Sequence, residues 1–102
     1  MEKMTKDEIT EALADLEGWE LMSEREAIRK TFRFKNFRTA WSFMEDAAIE
    51  ADEMSHHPEW TNVYNRVDVI LTTHDVGGVS EMDLELAAIM EEIAASPEIQ
   101  TD

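Results

Sequence analysis

Apolar residues near the start of the chain recur first at helical and then at strand spacing. Ile9, Ala12, Leu13 and Leu16 follow the helical interval. Thr5 and Glu8 stand before them as a capping box, which satisfies two otherwise free N–H groups of a first turn. Gly18 closes this predicted helix, and Trp19 to Met22 predict a short strand. After a turn over 23–26, Ile28, Lys30, Phe32 and Phe34 alternate with Ala27, Arg29, Thr31 and Arg33. That two-residue period predicts a second strand and, with the first, a hairpin.

Helical spacing returns after Asn36, a good N-cap. Phe37, Ala40, Trp41, Met44, Ala47, Ala48 and Ala51 make one face of a helix running to about Met54. Pro58 stops any continuation, because its ring removes the N–H and blocks the helical backbone. Thr61 to Thr73 is rich in Val, Ile, Thr and Tyr and predicts two strands, broken near Asn65 and Arg66. Gly77 and Gly78 predict a loop. Ser80 with Asp83 resembles a second capping box, and Met82, Leu86, Ile89, Met90 and Ile93 predict the buried stripe of a last helix. The order is α-β-β-α-β-β-α. Two hairpins with interspersed helices predict an α+β fold, an antiparallel sheet with its helices on one face.

At 102 residues the chain makes one domain, 1–102, with one core. Its formal net charge of −15 argues against direct binding to nucleic acid, which needs Lys and Arg to displace counterions. Disorder, another reading of such acidity, is opposed by 43% apolar residues in clear periodic register. Adaptation to high salt, where screening relieves repulsion between carboxylates, is a third reading. The chain has no cysteine, so thiolate chemistry is excluded, and a reducing compartment fits. Neither an apolar leader nor a membrane-length apolar run is visible, so a soluble cytoplasmic protein is expected.

The three histidines of the chain, His56, His57 and His74, lie close together in sequence. Around them stand Asp52, Glu53, Pro58, Trp60, Tyr64 and Asp83. Histidine gains and loses a proton near neutrality. A cluster of three beside aromatics therefore points to proton transfer on a flat polar substrate. Trp60 either walls such a site or packs in the core. Asp52 and Glu53 are either site carboxylates or solvated helix acids, separated by roughly 100° around the helix. A zinc or iron site is a competing use of three histidines and a carboxylate. It is disfavoured because the adjacent side chains of His56 and His57 diverge, and no bound metal is expected.

The run Asp52-Glu53-Met54-Ser55-His56-His57-Pro58-Glu59-Trp60-Thr61-Asn62-Val63-Tyr64-Asn65, followed by Leu71-Thr72-Thr73-His74 and Ser80-Glu81-Met82-Asp83, resembles the pterin-4a-carbinolamine dehydratases. The resemblance extends from about Thr5 to about Ala94. It implies a four-stranded antiparallel sheet with three helices on one side. It also implies a hydro-lyase that dehydrates 4a-hydroxytetrahydropterin to quinonoid dihydropterin, recycling the cofactor of aromatic amino acid hydroxylases. The pterin would be the substrate, with no separate cofactor. His56, His57 and His74 would be catalytic, with His56 and His74 as the acid/base pair. Asp52, Pro58, Trp60 and Asp83 would contact the substrate. Asp52 stands where the family usually has Glu, and Asp83 has a capping role open to it as well. A dimer or tetramer is implied. So is an alternative role as a dimerisation cofactor of a homeodomain transcription factor, or one in molybdopterin-related metabolism.

Overall fold

The computed structural model describes residues 1–99. Helix α1 spans Lys6–Leu13, strand β1 Glu20–Leu21, β2 Ile28–Arg33, helix α2 Phe37–Met54, β3 Glu59–Val63, β4 Arg66–Leu71 and helix α3 Glu81–Ala94. A 3-10 turn at His74–Val76 precedes α3. The element order is the expected one. The four strands form one antiparallel sheet in the order β1-β2-β4-β3, so β2 and β4 are central.

Alternation along the strands gives the sheet two unlike faces. Ile28 and Phe32 of β2 share the covered face with Val67, Val69 and Leu71 of β4, and all five are buried under the helices. The open face carries Arg29, Thr31, Asp68 and Ile70. Lys30 belongs to the covered row despite its charge. It sits 4.7 Å over the Phe32 ring, pairs with Glu91 of α3 at 2.6 Å and donates to the Glu17 carbonyl. Trp19 Nε1 donates to the same Glu91 carboxylate.

Both capping boxes form as expected, at Thr5/Glu8 and Ser80/Asp83, and Asn36 caps α2 through Thr39 N. Helix α1 ends earlier than predicted. Leu16 lies in the turns that follow Leu13, and β1 shortens to two residues.

The stripes on α2 and α3 are shifted from the expected ones. In α2 the buried row is Ala40, Phe43, Ala47 and Ala51, while Phe37 and Trp41 are half exposed. The alanines bring the helix backbone close to the sheet. Phe43 then packs between Phe32 and Phe34, with ring centroids 4.7 and 4.9 Å away. In α3 the buried row is Asp83, Leu86, Ala87, Met90 and Ala94, and Met82, Ile89 and Ile93 lie on its shoulder. An acidic side chain therefore holds a core position. No helix among the described residues is long and apolar enough to cross a membrane.

Candidate active site

Three chain segments build the site: the exit of α2, the first residue of β3, and the link between β4 and α3. Helix α2 ends at Ser55, whose backbone turns left-handed with φ 55°. This conformation usually calls for glycine. The next N–H, on His56, donates back to the Ala51 carbonyl at 3.0 Å. The reversal sends the consecutive imidazoles to different environments. His56 is buried, whereas the side chain of His57 is mostly exposed.

The buried position of Asp83 is explained by its partners. His56 Nε2 lies 2.5 Å from Asp83 Oδ1. Thr73 Oγ1 and the Ser80 N–H donate to Oδ2 at 2.7 and 2.9 Å. Since the single Thr73 proton goes to the carboxylate, Ser80 Oγ must donate to Thr73 Oγ1, 2.7 Å away. A charge inside a core is tolerated only when hydrogen bonded in this way. The N-terminal end of α3 adds further favourable dipole. With Asp83 ionised, His56 carries its proton on Nε2. Its Nδ1 makes no hydrogen bond to the described residues and is not sealed from solvent.

The chain reaches this arrangement through Gly77, which at φ 70° closes the 3-10 turn. Thr73 and Gly78 then pair through two backbone hydrogen bonds, which place Ser80 beside Thr73.

His74 opens the 3-10 turn with its side chain 81% exposed. Its Nε2 lies 3.6 Å from Glu59 Oε2. Glu59 is in turn held by a two-pronged contact with Arg25, at 2.8 and 2.9 Å. The hydrogen bonds from Arg25 keep the Glu59 carboxyl below the usual carboxylate range, against a smaller opposing effect of burial. His57 Nε2 pairs with Asp52 Oδ1 at 3.1 Å.

His56, His57 and His74 line one depression of about 330 Å³ together with Ser55, Glu59, Thr72, Thr73 and Asp75. The other four expected site residues lie elsewhere. Asp83 is behind His56 and shut off from solvent, so it orients the imidazole and cannot itself touch a ligand. Asp52, Pro58 and Trp60 line an adjoining apolar groove of about 670 Å³ with Trp41 and Met44. Trp60 pairs with Val69 and so faces the helices, away from the depression. His57 borders both spaces. Among the described residues no three His, Asp or Glu side chains converge in a way that would hold a metal ion.

Glu59, Thr73 and Arg25 were not expected at the site. Glu59 had a signal in its place directly after His57 and Pro58. The 34-residue separation between Arg25 and Glu59 left no local trace.

Residues 2–93 match the family model described as pterin 4 alpha carbinolamine dehydratase. The chain belongs to this family. A Brucella ovis protein and a Brucella canis protein, both named for pterin-4-alpha-carbinolamine dehydratase, are each 50% identical over 92 residues, covering 90% of this chain and 95% of theirs. A crystal structure described as a transcriptional coactivator/pterin dehydratase from Brucella melitensis superposes with a TM-score of 0.89 at 49% identity. That match covers 91% of this chain and 99% of the other. A pterin dehydratase-like RuBisCO assembly factor of the alpha-carboxysome shares the dehydratase fold at a TM-score of 0.67 and 20% identity, over 78% and 92% of the two chains.

Proposed function

We propose that this dehydratase-family chain eliminates water from a 4a-hydroxytetrahydropterin, giving quinonoid dihydropterin. The observation that carries this reading is the convergence of all three histidines on one depression, with His56 held by the buried Asp83. The elimination moves two protons. One is delivered to the departing hydroxyl, which leaves as water. The other is taken from the neighbouring ring nitrogen as the C=N bond forms. Each positioned proton transfer contributes roughly 10²–10⁴-fold.

His56 exchanges one proton through Nδ1, and Asp83 stabilises the imidazolium that forms. His74 exchanges the other beside the Glu59 carboxylate. His57, anchored by Asp52 at the rim, contacts the pterin and shares in the proton transfer. The pterin is the substrate, and the step needs no further cofactor. In this reading the reaction returns the pterin to the cycle that serves aromatic amino acid hydroxylases. The test is product formation from freshly generated 4a-hydroxytetrahydropterin, expected well above the spontaneous rate. A rate equal to the spontaneous one would remove the proposal.

A second reading, as a protein-binding coactivator, is favoured by the apolar residues left open on α2. Phe37, Trp41 and Ile49 are each about half exposed, and the Brucella melitensis relative is described as a coactivator as well as a dehydratase. Self-association into a dimer or tetramer would cover the same residues.

A further inference from the structure

Arg25 stands far from the histidines in sequence, in the turn between β1 and β2, yet it reaches the edge of the depression. Its two terminal nitrogens take both oxygens of Glu59, Nη1 to Oε1 at 2.8 Å and Nη2 to Oε2 at 2.9 Å. That fork fixes the plane of the carboxylate, because a guanidinium matches it with two parallel hydrogen bonds. Oε2, the oxygen nearer His74, is thereby fixed as well. The same turn is tied to the depression a second time. Thr72 Oγ1, which lines the depression two residues before His74, donates to the Glu26 carbonyl at 2.9 Å.

Building from these contacts, and resting on the dehydratase reading above, we infer that Arg25 is a positioning residue for the proton transfer at His74, acting through Glu59. Glu59 sits on an edge strand and is partly open to water. A lone carboxylate there would sample several rotamers, and His74, itself exposed, has no other charged partner among the described residues. With Arg25 in place the carboxylate stays ionised and aimed. The titratable and charged groups around His74 are then Glu59 from β3, Arg25 from the β1–β2 turn, Asp75 from its own turn, and His56 and His57, which line the same depression. An exposed ion pair adds little to stability. The two-pronged geometry therefore has its main consequence at His74.

The test is a set of mutant cycles with two readouts. In the first, steady-state dehydration, Arg25→Ala is expected to lower kcat about tenfold with KM changed less than about twofold, and Arg25→Lys to recover part of the loss. Adding Arg25→Ala to Glu59→Gln or to His74→Ala is expected to cost nothing more, because the residues act in series. The second readout is NMR relaxation at the His74 ring carbon Cε1, which needs no turnover. Ring order is expected to fall alike in Arg25→Ala and Glu59→Gln. An unchanged ring order in folded Arg25→Ala would overturn the inference, and so would an equal kcat loss in the His74→Ala background. If the native protein showed no dehydration above the spontaneous rate, the dehydratase reading would fall while the relaxation data still judged Arg25.

Discussion

His56 and Asp83 meet 2.5 Å apart, where the exit of α2 delivers an imidazole onto the first turn of α3. The carboxylate is completely buried, and its remaining capacity is taken by Thr73 and the Ser80 N–H. One helix cap thus serves two ends, starting α3 and holding the tautomer of His56.

Replacing Asp83 by Asn keeps the shape and removes the charge. The amide can donate to Nε2 and move the imidazole proton to Nδ1. We expect kcat to fall roughly 10²-fold or more, with the fold retained by circular dichroism. Asp83→Ala, which strands three donors, should cost about 2–3 kcal/mol in urea denaturation. Full activity in Asp83→Asn would show that the tautomer is unimportant.

Ser55 holds a left-handed backbone that costs a residue with a Cβ roughly 1 kcal/mol. Ser55→Gly removes that cost but adds freedom to the unfolded chain. The net expectation is a gain of about 0.5 kcal/mol, read as a higher denaturation midpoint at unchanged m-value. Its activity should stay close to native, because the path of His56 is unaltered.

The Arg25–Glu59 pair gives a pH signature. The folded carboxyl of Glu59 is depressed, chiefly by Arg25 hydrogen bonds. A depressed carboxyl contributes stability above its unfolded value and loses it as pH falls through the folded value. The stability difference between native and Arg25→Ala protein should therefore be small but present at neutral pH. It should close as the solution is taken below the carboxylate range. A difference that widened on acidification would contradict the assignment.

Trp41 is 50% exposed on α2, next to Phe37 and facing the groove shared with Trp60. A patch of this kind is expected to be covered by association, against the repulsion of a chain carrying −15. Sedimentation in a KCl series should show assembly strengthening with salt, and Trp41→Glu should weaken it. A monomer at every ionic strength would remove the self-association reading.

The helices, strands and their order were legible because capping boxes, alternation and turn residues agree with one another along the chain. The histidine cluster was equally legible, since His56-His57-Pro58 and His74 follow directly on predicted element ends. Asp83 was visible as a capping acid, but its burial was not. The stripe read from Met82, Leu86 and Ile89 passed over it, because periodicity counts apolar residues and the true row includes a carboxylate. On α2 the larger residues Phe37 and Trp41 drew the stripe outward, whereas close packing of Ala40, Ala47 and Ala51 decides which side meets the sheet. Trp60 illustrates strand parity. It is one residue from Glu59, so the two side chains leave the sheet on opposite faces, and only Glu59 enters the depression that all three histidines line. Arg25 lay beyond any local pattern, because a turn and a distant strand edge meet only once the sheet has formed.

The most direct measurement is stopped-flow dehydration of 4a-hydroxytetrahydropterin by the native protein and by the His56→Ala, His57→Ala and His74→Ala variants. The account predicts dehydration far above the spontaneous rate, a loss of roughly 10²–10⁴-fold in kcat for His56→Ala and His74→Ala, and a smaller loss for His57→Ala. A native rate no faster than the spontaneous reaction, or histidine variants as active as the native protein, would contradict it.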